Sequence, residues 1–586
     1  MLHRRWGYKS FIGRVNMSMK DALIKAFQDA GEKVPDFSSG RKKSNSPNKS
    51  RRHKREVDVK PEWRARRRQS PEPVRSHIKK DRNKEPLEAQ RSGVDDKKKS
   101  MFEVELSEQA YPLFTGEESQ RSVSLFDLQH DGKSCVVEPN TALDDEQDIF
   151  LGLDFGTSSV KAIIGDSNRK AHYAVPFREG QDIEQYLLPT CLYQQGERFL
   201  LESDDGFAFR NLKLDLMDDP GDRDAQLRCV AFLALAIQRI RGWFLSTHAD
   251  TYRYSDLLWT LHIGIPSVDR GSFSVLIEHI GWAAWILASE EGDITTAIVS
   301  KAFARAGAFL GEGQEPSDKE YVEVEAIPEI AAQIYGYVKS DAFDPNAQNL
   351  FLLADVGAGT IDCALFKVAQ QAYGADKFQF YEKSVEPYGV ANLHRMRLEW
   401  WKKVFQSVEH EPTNLLRIVQ GQLEQIDAAQ RIPDRCSDYF SGVRVKGNPE
   451  FGTDIANPDG KFENRITEQI QVKTLHKAKS SGDWHEEALK DTPFFLCGGG
   501  TRNAFYQRIN ESVRHHPSVS FLRLSPKTLA RPSNIIAPGL ARKDWDRLSV
   551  AYGLSFRKVG EVVDVDPLTE RDVRVNKSWR DNYIEK

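Results

Sequence analysis

Asp154-Phe155-Gly156-Thr157-Ser158-Ser159-Val160-Lys161 decides the reading of this chain, because its pattern returns in Asp355-Val356-Gly357-Ala358-Gly359-Thr360-Ile361-Asp362. Each is an apolar strand, an acid, a turn of small residues and hydroxyls, and a second strand. That second strand is Ala162-Ile163-Ile164 in one case and Cys363-Ala364-Leu365-Phe366 in the other. Glycine lets backbone amides approach an anion with no Cβ in the way, and successive turn amides form an anion-binding concavity. An acid beside such a turn repels phosphate, so its part is to hold a hydrated Mg2+. Two such hairpins facing each other predict a nucleotide clamp. A third glycine turn, Cys497-Gly498-Gly499-Gly500-Thr501-Arg502, follows the apolar strand Phe494-Phe495-Leu496 and leads into a helix predicted from about Asn503.

In order and spacing the three segments resemble the phosphate-1, phosphate-2 and adenosine motifs of the actin, heat shock protein 70 and sugar kinase superfamily. The second and third look most like heat shock protein 70. The resemblance covers roughly residues 149 to 556. It implies an α/β fold of two lobes, the actin-like ATPase fold in which a ribonuclease H-like domain is duplicated. It also implies ATP and Mg2+ as ligands and slow ATP hydrolysis.

The resemblance carries over residue by residue. Gly156, Thr157, Ser158 and Ser159 would offer amides and hydroxyls to the β-phosphate, and Lys161 stands where the actin-like pattern has a phosphate-binding lysine. Gly357, Gly359 and Thr360 would meet the γ-phosphate. Asp154 and Asp355 would hold the metal through its waters, Asp355 also ordering the attacking water. Asp362 resembles a second acid of the motif, the alternative being a strand acid paired to a nearby lysine. Ala326-Ile327-Pro328-Glu329-Ile330-Ala331-Ala332 resembles the first connecting helix, and Glu329 matches the acid that orients water or metal across the cleft. A first-turn glutamate also suits a helix dipole. Lys213 lies where the chaperones carry a catalytic lysine, with a surface lysine as the alternative. Gly498, Gly499 and Gly500 would let the backbone pass the ribose and α-phosphate, and Arg502 could stack on adenine.

Two segments depart from the chaperone pattern. Gly389-Val390-Ala391-Asn392 stands where the family has a glycine pair near an acid. Beside Ser549-Val550-Ala551-Tyr552-Gly553, which resembles the second connecting helix, Arg547 replaces an expected acid and Asp546 comes one step early.

The net charge of −4 conceals an asymmetry. Residues 41–99 hold 22 Lys/Arg against 9 Asp/Glu, a balance of +13 that leaves −17 on the rest. Residues 38–100 contain one aromatic, Trp63, and are predicted to be disordered because they have too little apolar surface to offset ordering entropy. The arm reads either as a solvated linker or as a tether to nucleic acid through clusters such as Arg51-Arg52-His53-Lys54-Arg55. Ahead of it, residues 1–37 are expected to form one short helix capped by Ser18 and Asp21. Residues 101–147 read as an ordered preface with a hairpin at Asp131-Gly132. The nucleotide-binding body is expected at 148–556, followed by a polar tail at 557–586.

Within the body, residues 224–246 predict a helix with one buried face, 257–265 a strand, 271–310 one or two helices and 393–490 a mostly helical insertion. Six scattered cysteines with no close pair point to a reducing compartment, and no apolar run reaches the length of a membrane span. A cytoplasmic protein with no membrane partner is expected. The expected activity is ATP hydrolysis whose lobe motion is relayed to a partner or client protein. An actin-like filament and a sugar-type kinase are the competing classes.

Overall fold

The computed structural model describes residues 102–114, Leu125 and, with short interruptions, 145–565. The expected N-terminal helix, the basic arm and the Asp131-Gly132 hairpin lie outside the described residues, as does the chain beyond 565.

Strand β1 (Phe102–Pro112) opens the described chain. The first hairpin is β2 (Asp145–Phe155) and β3 (Ser159–Asp166), extended by β4 (Ala171–Ala174), with β5 (Leu188–Pro189) added to β3. A small sheet of β6 (Cys191–Gln195), β7 (Arg198–Leu200) and β8 (Phe207–Arg210) leads to α1 (Leu212–Asp218) and α2 (Arg223–Thr247). Then come β9 (Ser255–Ile265), α3 (Ser272–Ala288), α4 (Thr296–Glu312), β10 (Glu323–Pro328) and α5 (Glu329–Val338). The second hairpin is β11 (Leu350–Val356) and β12 (Ile361–Ala369), extended by β13 (Lys377–Glu386). An insertion follows with α6 (Val390–Ser407), α7 (Thr413–Glu424), β14 (Phe440–Gly447) and α8 (Pro458–Glu468). Beyond it lie β15 (Pro493–Cys497), α9 (Ala504–His515), β16 (Ser525–Lys527), β17 (Ile535–Ile536), α10 (Ser549–Leu554) and β18 (Glu561–Asp564).

The architecture is mixed α/β with several sheets, and its two large sheets have the same plan. One runs β10-β9-β2-β3-β4-β17 and the other β16-β15-β11-β12-β13-β18. In each, a three-strand antiparallel meander carries two parallel strands on the edge of its first member and one parallel strand beyond its third. The central strands are nearly continuous apolar runs, such as Leu350-Phe351-Leu352-Leu353-Ala354, because both faces of each sheet are covered. β17 and β18 flank α10 in sequence and join different sheets, so the chain crosses between the sheets there. The second sheet thereby takes in residues 561–564, beyond the boundary read at 556.

The predicted helix at 224–246 is α2, but its middle is buried all round rather than along one face. Cys229, Val230, Ala231, Phe232, Leu233, Ala234 and Ala236 are each fully enclosed. The cause is that α3 and α4 both pack against it. By length and composition α2 is the one described helix apolar enough to cross a membrane, and most of it is buried inside the protein. The insertion is helical as expected, with one addition: β14 pairs antiparallel with β1. None of the five described cysteines is in a disulfide, and all five are buried.

Between the large sheets, α5 and α10 cross at close range. Ile330, Ala331, Ala332 and Ile334 of α5 share one core cluster with Val550, Ala551, Tyr552 and Leu554 of α10. A Cβ on Gly553 would lie 1.8 Å from the Ala332 carbonyl oxygen, so only glycine permits the crossing. Gly553→Ala is therefore expected to destabilise the fold by at least about 1–3 kcal/mol through overpacking. Gly421→Ala on α7, where an added Cβ meets nothing within 4 Å, is expected to stabilise by about 0.5–1 kcal/mol. Denaturant unfolding measures both; equal effects would contradict the crossing.

Candidate functional site

The two hairpin turns and the third glycine turn open onto one cavity of about 600 Å³. It is lined by Asp154, Gly156, Thr157, Ser158, Ser159 and Lys161 from the first hairpin, and by Asp355, Gly357, Thr360 and Asp362 from the second. Gly498, Gly499, Gly500, Arg502, Lys213 and Glu329 complete this set. Of the site residues predicted from sequence, Gly359 alone does not line it. A Cβ there would lie 2.7 Å from Leu214 Cδ2, so Gly359 lets α1 approach and bring the neighbouring Lys213 to the cavity.

Lys213 is a buried lysine, not a surface one, and its ammonium donates to Glu329 Oε1 at 2.5 Å. Asn211 starts α1 in a left-handed conformation (φ 59°) and donates to the Ile426 carbonyl, which fixes the entry of the helix. Glu329 is the first residue of α5, directly after Pro328 ends β10. Thus a strand end and a helix start from different elements hold one ion pair in the cavity wall.

The duplicated plan aligns the hairpins and also shows where they differ. Across the first ladder Asp154 faces Lys161, and the two form an ion pair at 3.1 Å. Across the second ladder the corresponding positions are Asp355 and Asp362, two acids directly opposite each other. Like charges opposed in a ladder destabilise it. Burial, then Glu329, Asp154 and Asp362, push the Asp355 carboxyl from its ordinary 3.8 up to about 8, with Lys161 partly opposing. Burial pushes Asp362 up to about 7, opposed first by the Ser267 amide, which donates to Oδ2 at 3.1 Å. The other oxygen of Asp362, Oδ1, is buried without a hydrogen-bond partner.

Backbone contacts set each turn. Thr190 donates to the Gly156 carbonyl and its amide to the Ser158 carbonyl, pinning the first turn. In the second, the carbonyls of Gly357, Ala358 and Gly359 accept from the amides of Val390, Ala391 and Gly389, and Gly359 also accepts from Asn392 Nδ2 at 2.7 Å. With those carbonyls held against α6, the amides across the same planar peptides point away from that helix. Gly389 is confined to glycine here, because a Cβ would lie 2.4 Å from the Ala358 oxygen. In the third turn Gly498 (φ 91°) abuts Asp355, and a Cβ would lie 2.1 Å from its Oδ1. Arg502 is held by Asp544 and Asp546, with its Nη2 also donating to the Lys543 carbonyl.

Sequence reading missed several lining residues. Gln333 stands one helical turn after Glu329 and keeps a buried Oε1 without a hydrogen-bond partner, a spacing readable in the sequence. Gln430, Ile432 and Asp434 come from the insertion, and Glu184 and Arg547 approach each other at 3.5 Å. Among the described residues no group of three or more His, Cys, Asp or Glu stands close enough to hold a metal directly. A Mg2+ that keeps its waters needs only one or two carboxylates besides phosphate oxygens. Asp355 and Asp154, crowded by further acids, fit that demand. No known family model matches the chain, and no curated protein matches it.

The raised carboxyl of Asp355 gives a pH signature. The folded protein keeps this proton where an unfolded chain releases it near its ordinary value, so the contribution of Asp355 to the stability of unliganded protein falls as pH rises from about 4 to about 8. Asp355→Asn is expected to remove that contribution, seen as a thermal midpoint that shifts upward relative to wild type between pH 5 and pH 8. Parallel pH profiles in both proteins would contradict the assignment.

Proposed function

We propose that this chain is a Mg2+-dependent ATPase of the actin and heat shock protein 70 kind, whose nucleotide state moves its two halves relative to each other. The observation that carries the reading is the convergence of two matched acid-and-turn hairpins and a glycine turn on one cavity, with the Lys213–Glu329 pair between them. The duplicated strand order supports the two-lobed actin-like fold. The close crossing of α5 and α10 supports a hinge between the halves.

Phosphoryl transfer asks a protein mainly for positioning and charge. The amides of the first turn and its hydroxyls bind the β-phosphate; those of residues 357–360 bind the γ-phosphate. Asp154 and Asp355 would hold a Mg2+, which would neutralise charge on the phosphate oxygens. Lys213 donates to the γ-phosphate from its place against Glu329. Glu329 accepts from the attacking water and aims its oxygen at phosphorus. Motion of the halves is relayed to a partner protein.

Steady-state turnover and nucleotide binding test this together. Asp355→Ala and Asp154→Ala are each expected to lower ATP turnover on the order of a hundredfold. Glu329→Ala is expected to hold ATP affinity within roughly tenfold while slowing hydrolysis, as for an interaction made mainly in the transition state. Unchanged turnover in both aspartate variants would overturn the site. Equal loss of binding and hydrolysis would make Glu329 a binding acid.

A further inference from the structure

One helix contacts two parts of the cavity's lining, the second turn and Asp434. At its start, Gly389, Val390, Ala391 and Asn392 hold the carbonyls of the second phosphate turn. Five residues on from Asn392, about 7.5 Å along α6, lies Arg397, whose side chain is fully buried. Its Nε and Nη2 bond Asp459 at 2.6 and 3.0 Å. Two further donors reach backbone, with Nη1 donating to the Pro433 carbonyl at 2.7 Å and Nη2 to the Asp434 carbonyl at 3.0 Å. Ile432 and Asp434 line the cavity.

The same wall is held from its other side by the residues that follow the third glycine turn. Asn503 Nδ2 donates to the Ile432 and Pro433 carbonyls, and the Ala504 amide donates to Asp434 Oδ1 at 2.8 Å. Burying a guanidinium is costly unless each donor is satisfied. Here part of the satisfaction comes from the adjacent carbonyls of Pro433 and Asp434, and Asp434 lines the cavity. A change in the position of α6 therefore moves that wall.

We propose that Arg397 is a positioning residue for the nucleoside end of the ligand, and that α6 couples the wall at 432–434 to the phosphate turn at 357–360. The inference rests on the nucleotide reading given above. Occupation of the second turn by a terminal phosphate fixes the carbonyls of Gly357, Ala358 and Gly359 and with them the start of α6. Arg397 then sets the wall that contacts the nucleoside. Beyond Arg397, Leu398, Trp401, Val404 and Phe405 of α6 share a core with Phe102 and Phe114, so the insertion and β1 follow the helix.

The test compares two ligands, Mg·ATP and inorganic tripolyphosphate with Mg2+, on the full chain by calorimetry. Arg397→Lys keeps the charge beside Asp459 but lacks the planar fork that serves carboxylate and carbonyls at once. It is expected to weaken Mg·ATP roughly tenfold or more while changing tripolyphosphate affinity less than about threefold. Asn392→Ala, which removes the donor to Gly359, is expected to weaken both ligands. Together the two substitutions are expected to lose less Mg·ATP affinity than the product of their separate losses, because each breaks the same relay. Should Arg397→Lys not fold, Arg397→Met with Asp459→Leu, which removes both buried charges, takes its place with the same expectation. Equal loss of both ligands on changing Arg397, no loss of either, or multiplying losses in the combined variant would overturn the relay. Wild-type protein that binds tripolyphosphate but not Mg·ATP, or binds neither, would overturn the nucleotide reading and the relay with it.

Discussion

Two acids stand opposite each other in a buried ladder, and the rest of the site is arranged around that fact. Asp355 and Asp362 are cross-strand partners, and burial, followed by the charges of Glu329, Asp154 and Asp362, raises the Asp355 carboxyl. A hydrophobic pair at these positions would serve folding better, since burying a charge without a partner is unfavourable. The lysines present are already engaged, Lys161 with Asp154 and Lys213 with Glu329. Under the proposed function, a cation brought in with the nucleotide would relieve the crowding, and ligand binding would then raise folding stability as well.

Close approach is the second requirement. Gly498 brings the third turn against Asp355, Gly389 brings α6 against the second turn, Gly359 admits α1 with Lys213, and Gly553 lets α5 and α10 cross. The first three set contacts between the cavity's turns and neighbouring elements, and the fourth sets the crossing of α5, whose Glu329 and Gln333 line the cavity. Under the proposed function, nucleotide state and the disposition of the insertion would therefore belong to one mechanical system.

Much of this was legible in the sequence because its signals are carried by residue type. The acid-turn hairpins, the Pro328-Glu329 helix start and the apolar strands all announce themselves by composition and spacing. What escaped was carried by backbone atoms or by distant pairing. The wall at 432–434 presents carbonyls to Arg397, and a carbonyl has no residue signature. Arg397 itself is one of several basic residues on α6, with Arg395, Lys402 and Lys403, and periodicity alone does not single it out for burial among charged neighbours. The alternation Phe102, Val104, Leu106 was a readable strand signal, but its partner β14 lies hundreds of residues later, and no local rule names it. The single stripe read on α2 missed Ala231, Ala234 and Ala236, whose small size lets α3 and α4 close over the other side.

Calorimetric titration of the full chain with ATP at pH 7, with Mg2+ and with a chelator, in buffers of different ionisation enthalpy, tests the central claim most directly. The expected result is one site, binding that depends on Mg2+, and net release of protons from the crowded carboxyls as the cation arrives. Binding that is indifferent to the metal and releases no proton, or no binding heat in any buffer, would contradict it.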